Sequence, residues 1–346
     1  MRLLVVSHRR VSQSGLAGAT RITVLSAAAV TAAAALSAGG ASAAPAPAPA
    51  EVTSRVDALY EQAEKVTEDY NGASERTRKL RGEVTALQDR VARGQGRVNR
   101  LRARLGAIAS AQYRSGGLDP ALKLILSEDP ASYLDKASVL DRVHGNQAGQ
   151  LRELQGAQRG LEQERRAAAG KLTDLEASRR EVASHKKDIE RKLAAAQHLL
   201  NALTGPDRAA YDRANRGVGR SLPAPSGAAH PSGRAGAAVQ AVRAAIGTPY
   251  AWGRSGPSAF DCSGLMQWAY ARAGVGIPRT SQAQRGAGRQ VQVSQAQPGD
   301  LVIYRDDASH VAMYVGNGQV VHAPYPGARV RSDPVGMMPI SSVTRP

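Results

Sequence analysis

The chain has 346 residues, enough for two or three structural units, and its formal net charge is +17. A basic balance of this size suits a polyanionic surface, such as nucleic acid, anionic lipid or the phosphate-rich polymers of a cell wall. The sequence contains no helix-turn-helix, zinc-finger or basic-aromatic pattern, which argues against nucleic acid. Because aromatic residues make up only 4% of the chain, long solvated helices are expected more than one large core.

The first 43 residues have the pattern of a cleaved secretory signal peptide. Arginines at positions 2, 9, 10 and 21 precede or adjoin an apolar, small-residue run from Ile22 to about Ala38, and Ala41-Ser42-Ala43 has the form of a signal-peptidase site. We predict cleavage after Ala43, which removes four arginines and no acid and leaves a mature net charge of +13. The predicted location is outside the cell or in the cell wall. A retained membrane anchor is the alternative, although the run is short for a span.

Residues 51–203 have heptad periodicity. Apolar residues step alternately by four and three from Val52 to Ile108, and a second such seam runs from Leu151 to Leu203. A break at Ser115-Gly116-Gly117 separates the two seams. The pattern predicts a long α-helical coiled-coil hairpin with its tip near residues 115–143. A parallel homodimer is the alternative, because several seam positions are polar.

Two interpretations of this hairpin stay open. It could be a rod that spaces the rest of the chain from a membrane. It could instead be a docking arm whose apolar tip, around Leu122 to Leu126, binds a membrane-bound division or transporter-like complex.

Two segments of simple composition flank the hairpin. Residues 44–50 alternate alanine and proline, which predicts an extended tether. Residues 204–234 are rich in glycine, proline, alanine and serine, which predicts a flexible linker.

Residues 235–346 are typical of a small α+β domain, with helices first and an antiparallel sheet afterwards. The predicted helices are Ala237–Ile246 and Ser263–Ala273. The predicted strands are Leu301–Tyr304, Val311–Val315, Gln319–Ala323 and Arg329–Arg331.

Cys262 is the only cysteine of the chain, so an exported protein can form no internal disulfide. A lone cysteine is often just a small buried hydrophobe, but an unpaired thiol in an oxidising place indicates a reactive one. Its position at a predicted helix N-terminus favours the thiolate. His310 and His322 are the two histidines of the domain, and a hairpin around Gly316-Asn317-Gly318 could make them neighbours. Cys262 suits the role of nucleophile, His310 that of base and His322 that of the group that orients the base.

A metal site is a poor interpretation of the same residues. One cysteine and two histidines without close ligand spacing make a weak zinc set, so we predict no metal and no cofactor.

The domain carries six short motifs in order: Pro249-Tyr250-Ala251-Trp252-Gly253, Phe260-Asp261-Cys262-Ser263-Gly264-Leu265, Pro278-Arg279-Thr280-Ser281-Gln282-Ala283-Gln284, Pro298-Gly299-Asp300-Leu301-Val302, Ser309-His310-Val311-Ala312-Met313-Tyr314-Val315-Gly316 and Val321-His322-Ala323-Pro324. In this order they resemble the NlpC-type (NlpC/p60) cell-wall cysteine peptidases, which are papain-like bacterial enzymes. The resemblance covers about a third of the chain. One departure is Arg254, where many relatives have a second glycine.

The resemblance implies hydrolysis of peptidoglycan stem peptides between the γ-carboxyl of D-glutamate and the diamino acid. It implies that Cys262 is the nucleophile, His310 the base and His322 the third polar member. Tyr250 would help to hold the oxyanion. The implied groove residues are Asp261, Ser263, Arg279 and Ser281.

Two other functions stay open, an N-acetylmuramoyl-L-alanine amidase and a non-catalytic adaptor of a division complex. A helical hairpin before such a domain also resembles secreted actinobacterial peptidoglycan hydrolases, in which the helical part restrains or recruits the enzyme. We therefore expect the hairpin to cover the groove until a partner pulls it away.

Overall fold

The computed structural model describes residues 48–114, 133–215 and 233–346. The predicted signal peptide, the apolar tip around Leu122 to Leu126 and most of the predicted linker lie outside these ranges. No helix among the described residues combines the length and the apolar character that a membrane span needs.

Two long helices, α1 (Pro49–Arg114) and α2 (Tyr133–Asn201), pack along each other in opposite directions. Their side-chain contacts show the direction, because partners on α2 come earlier in the chain as residues on α1 come later. Gln62 bonds Lys192, Arg76 bonds Glu181 and Arg97 bonds Glu153. These polar contacts are exposed and contribute little to stability.

Apolar seams hold the two helices together, as the heptad pattern predicts. The buried apolar residues of the two helices all lie on the predicted seams: Val52, Val56, Ala63, Ala73, Leu80, Val84, Leu87, Val98 and Leu101 on α1, and Leu161, Ala168, Leu175, Ile189, Ala196 and Leu200 on α2. Burial of side chains of this kind stabilises by about 1.5–3 kcal/mol for each Val, Leu or Ile.

Part of the predicted linker is helical. Helix α3 (Gly205–Asn215) begins after Thr204, whose hydroxyl bonds the Asp207 carboxylate at 2.6 Å. Tyr211 of α3 packs against the end of the hairpin near Leu200. Glycine and proline favoured a linker at this point, but a proline is tolerated in the first turn of a helix. Helix α2 likewise begins at Tyr133, within the segment predicted as the hairpin tip.

The C-terminal part is an α+β domain, as predicted. It has the helices α4 (Gly233–Ala244), α5 (Cys262–Arg272) and the short α6 (Ser281–Gln284). The strands are β1 (Arg289–Val291), β2 (Leu301–Tyr304), β3 (His310–Gly316), β4 (Gln319–His322), β5 (Arg331–Pro334) and β6 (Ile340–Arg345). They form one antiparallel sheet in the order β1-β6-β2-β3-β4-β5. Helices α4 and α5 share the main apolar core with β3.

Two strands of the sheet were not predicted, and a third is shifted. Strands β1 and β6 are rich in polar residues. Strand β6 enters the smaller core on the other face through Val343 and Ile340. Strand β5 begins at Arg331 instead of Arg329. Pairing with neighbours far away in sequence, and not local composition, makes these segments strands.

The start of α5 depends on a close backbone approach at Gly264. Asp261 caps the helix, since its Oδ1 accepts from the Gly264 amide at 2.7 Å. A Cβ atom on Gly264 would lie 2.2 Å from the carbonyl oxygen of Arg254 and 2.8 Å from that same Oδ1. Only glycine therefore fits here without a backbone shift.

Replacing Gly264 with alanine is expected to lower the free energy of unfolding by about 1–3 kcal/mol, the usual cost of overpacking. Thermal unfolding followed by circular dichroism measures the effect. Gly276→Ala is the matched control, because its Cβ would meet no atom within 4 Å. Equal melting temperatures for the two variants would contradict this account of the α5 start.

Candidate active site

Cys262, His310 and His322 meet in the interior of the C-terminal domain. Cys262 is the first residue of α5, His310 begins β3 and His322 ends β4. All three are buried. The Nε2 atom of His310 lies 2.8 Å from Nδ1 of His322, and the sulfur of Cys262 lies within 4.8 Å of a ring nitrogen of His310. The antiparallel pairing of β3 with β4 therefore makes the two histidines neighbours, as expected.

Tyr250 contributes an unengaged hydroxyl to this site. Its side chain is buried, and among the described residues the hydroxyl has no hydrogen-bond partner. Burial, together with the negative charge of Glu64, raises the pKa of Tyr250 well above its ordinary value. The hydroxyl therefore keeps its proton and can donate it to an oxyanion.

The four predicted groove residues form one polar cluster beside the cysteine. Arg279 bonds Asp261 with both terminal nitrogens, at 2.5 and 2.9 Å, and donates to the Ser263 hydroxyl at 2.9 Å. The backbone amide of Ser281 faces the same cluster. Because Asp261 both caps α5 and pairs with Arg279, its carboxylate is already engaged. The Arg254 side chain, by contrast, is exposed.

Asp333 extends the hydrogen-bonded pair His310 and His322, and it was not predicted from the sequence. Asp333 on β5 accepts from Nε2 of His322 at 2.8 Å and from Arg331 at 2.7 Å. Burial lowers the pKa of His322 to about 4, although the bond to Asp333 opposes this shift. His322 is therefore neutral, carries its proton on Nε2 and accepts from His310 at Nδ1. His310 therefore donates from Nε2 to His322, and its Nδ1 faces the site.

Helix α1 inserts two carboxylates into this site. Glu64 contacts Nδ1 of His310 with one oxygen and accepts from Arg305 with the other at 2.8 Å. Glu68 accepts from the Ser263 hydroxyl at 2.7 Å and from the Ser281 amide at 2.6 Å. The Cys262 thiol donates to Glu68 across 3.6 Å. Glu64 and Glu68 are only 2% and 1% exposed.

Further contacts on the same side of α1 flank the two glutamates. Asn71 donates to Asp261 at 3.2 Å, Lys65 pairs with Asp307 at 3.2 Å and Glu61 pairs with Arg305 at 3.4 Å. We call Glu61, Glu64, Lys65, Glu68 and Asn71 the docking face of α1. Two aromatic contacts lie beside it: Tyr60 stacks on Tyr325, and Tyr70 meets Trp252 edge-on. The helix thus covers the groove along about three turns.

The carboxylates of α1 set the electrostatics of the site. Burial and the nearby charges of Glu68, Glu64 and Asp261 raise the pKa of the Cys262 thiol well above its ordinary value. This outweighs the effect of the helix N-terminus, so the thiol stays protonated in this arrangement. Burial and Asp261 also raise the pKa of Glu68 to about 7. For Glu64 burial acts upwards, but His310 and Arg305 outweigh it and lower its pKa.

Sequence reasoning missed Glu64, Glu68 and Asn71 because they lie outside the apolar seam, where heptad analysis expects solvated residues. A signal is nevertheless present. Glu61, Glu64 and Glu68 recur at one-turn spacing on one side of a helix, within a chain of net charge +17.

A sequence model of the NlpC/P60 family matches residues 247–343. A probable endopeptidase of Corynebacterium glutamicum is 45% identical over 125 residues, which are 36% of this chain and 60% of that protein. The peptidoglycan endopeptidase RipA of Mycolicibacterium smegmatis is 44% identical over 111 residues, which are 27% of this chain and 22% of that protein. A solved P60 domain of an antigen from M. avium subspecies paratuberculosis is 36% identical, with a TM-score of 0.31, over 32% of this chain and 93% of that one.

The chain therefore spans 60% of the corynebacterial relative and a smaller share of RipA. The matched residues 247–343 contain Cys262, His310, His322 and Asp333, together with the four predicted groove residues. Through this C-terminal domain the chain belongs to the NlpC/P60 family.

Proposed function

We propose that the chain is a secreted cysteine endopeptidase that cleaves peptidoglycan stem peptides and that α1 holds inactive. The observation that carries this proposal is the buried chain Cys262–His310–His322–Asp333 with two α1 carboxylates set against its nucleophile and base. Membership of the NlpC/P60 family and the names of its relatives, among them a peptidoglycan endopeptidase, support it.

The proposed mechanism begins once α1 has left the groove. His310 takes the thiol proton of Cys262 at Nδ1, and the thiolate attacks the amide carbonyl carbon. The oxyanion that forms is held by the Cys262 amide and by the Tyr250 hydroxyl, each worth about 3 kcal/mol in related chemistry. The imidazolium of His310 then protonates the leaving amine. Water, activated by the same imidazole, releases the acyl group from the sulfur.

We further propose cleavage between the γ-carboxyl of D-glutamate and the diamino acid. Support comes from the cluster around Glu68, where a carboxylate is held by the Ser281 amide and the Ser263 hydroxyl, with Arg279 beside them. A γ-linked D-glutamate keeps its α-carboxylate free close to the scissile amide. That carboxylate could take the place of Glu68 in an opened groove.

The closed arrangement, in which the docking face fills the groove, supports the expected restraint. Glu64 holds the nitrogen that must accept the thiol proton, and Glu68 lies against the sulfur that must attack. Substrate and docking face therefore compete for the same atoms. A partner that pulls α1 away, for example a membrane complex acting on the hairpin tip, would switch the enzyme on.

Mass spectrometry of muropeptides tests the bond that is cleaved. Residues 44–346 with Glu64→Gln, which weakens the closed arrangement, are incubated with purified peptidoglycan, and the same chain with Cys262→Ala is the blank. The expected products are muramyl peptides that end in D-glutamate and peptides that begin with the diamino acid. Release of intact stems that begin with L-alanine would replace this function by an amidase. If both proteins give no products, an adaptor role is favoured instead.

A further inference from the structure

The closed site brings together three side chains of the kinds that bind zinc. A carboxylate oxygen of Glu64, the sulfur of Cys262 and a ring nitrogen of His310 lie within 4.8 Å of one another, and all three residues are buried. They come from α1, α5 and β3. Analysis of the C-terminal sequence alone predicted no metal, because it lacked the ligand that α1 supplies.

We propose that Glu64, Cys262 and His310 form a zinc site that is complete only while α1 is docked. Zinc binds such sulfur, nitrogen and oxygen donors at about 2.0–2.3 Å, in tetrahedral sites whose donor atoms are about 3.3–3.8 Å apart. The three donor atoms lie within 4.8 Å of one another, so small side-chain movements bring them to that geometry. The fourth position of such a site is left to water. The Glu68 carboxylate, 3.6 Å from the Cys262 sulfur, adds negative charge beside the ion.

Outer contacts orient two of these donors. His310 uses Nε2 on His322, which in turn bonds Asp333, so Nδ1 is the nitrogen that remains for the ion. The second oxygen of Glu64 is held by Arg305. Bonds of this kind from outside the ligand set are a regular feature of zinc sites and fix the ligand rotamers.

The charge of the cluster also suits a divalent cation. With the thiol ionised, four negative groups face two positive ones: Glu64, Glu68, Asp261 and Cys262 against Arg279 and Arg305. Two uncompensated negative charges in a buried site are costly. A zinc ion brings the sum to zero. On binding, the thiol proton and the proton between Nδ1 of His310 and Glu64 pass to solvent. No electron transfer is involved.

The proposed ion would act as a clamp. A thiolate on zinc is unavailable as a nucleophile, and a ligand from α1 ties the helix to the catalytic domain. Removal of α1 leaves two of the donors, Cys262 and His310, so zinc binds the closed state more tightly and stabilises it by mass action. This regulatory consequence rests on the proposed function. The site itself is tested by binding, without any assay of cleavage.

Zinc titration of metal-free residues 44–346 against a chromophoric chelator tests the site. One ion per chain is expected. Glu64→Gln and Cys262→Ser are each expected to weaken binding about tenfold or more. Glu51→Gln, on the exposed start of the same helix, is the matched control and should bind as the unaltered chain does. Circular dichroism establishes that each variant is folded.

Cobalt(II) provides a second readout. The cobalt-loaded chain should show the charge-transfer absorption of a cobalt–thiolate bond, and Cys262→Ser should remove it.

Zinc binding that Glu64→Gln leaves unchanged would overturn the role of α1, and binding unaffected by every substitution would mean an adventitious ion on surface histidines. A chain that binds zinc but cleaves no peptidoglycan would refute the proposed function and leave the site standing. A chain that cleaves peptidoglycan but binds no zinc would refute the zinc site and leave the proposed function standing.

Discussion

Replacing Glu64 with glutamine is expected to raise the rate of peptidoglycan cleavage by residues 44–346 about 100-fold. Glu64 pairs with His310 and Arg305 in the interior, and removing one partner of a buried ion pair costs about 3–5 kcal/mol. The lower figure, about 3 kcal/mol, corresponds to a 100-fold change in the balance between docked and undocked α1. Release of dye-labelled peptide from insoluble peptidoglycan measures the rate.

Two variants make this prediction specific. Burial and Asp261 raise the pKa of Glu68 to about 7, so the ionised form of Glu68 is already disfavoured in the closed arrangement. Glu68→Gln, which removes that charge, is therefore expected to activate far less than Glu64→Gln. Glu51→Gln should leave the rate as it was, since Glu51 is exposed and pairs only with Arg55 among the described contacts. An unchanged rate for Glu64→Gln would show that the ion pair does not hold the groove closed.

The hairpin and the small domain could be predicted because each depends on short-range patterns. The alternate steps of four and three residues mark the side of α1 that packs on α2, and the buried apolar residues follow it. On the other side, the one-turn spacing of Glu61, Glu64 and Glu68 is the local signal, and it does not say what these residues contact. Glu64 and Glu68 are buried by Arg305, His310 and Ser281, which lie more than 200 positions further along the chain. The heptad pattern therefore predicted helix α1 but not the docking face by which it contacts the C-terminal domain.

His310, His322 and Asp333 show the same limit on a smaller scale. The turn between β3 and β4 is local, so the proximity of His310 and His322 could be inferred. Asp333 reaches His322 diagonally, because the register pairs His322 with Arg331 and Val320 with Asp333. That register is set by the pairing of β5, an edge strand whose polar residues and terminal proline give a weak strand signal.

Replacing Asp333 with asparagine is expected to lower kcat about 100-fold with little change in KM. An asparagine amide can donate to Nε2 of His322, which moves the His322 proton to Nδ1. His310 must then accept at Nε2 and carry its own proton on Nδ1, the atom that should receive the thiol proton. A wrong tautomer of this kind costs serine proteases about 10⁴-fold, and the extra ring here makes a smaller loss reasonable. The two chains that are compared both carry Glu64→Gln, so that closure of the site by α1 does not enter the measurement.

Asp333 acts in this scheme as a positioning residue, so its test needs a readout that a packing defect would not move. The rate at which iodoacetamide alkylates Cys262 should fall in parallel with kcat, because both depend on proton acceptance by Nδ1 of His310. Asp333→Glu, which keeps the carboxylate, should recover part of both rates. Asp306→Asn, at an exposed site, should change neither. If Asp333→Asn lowers only the melting temperature, while alkylation and kcat stay level, the carboxylate serves the fold and the tautomer argument is wrong.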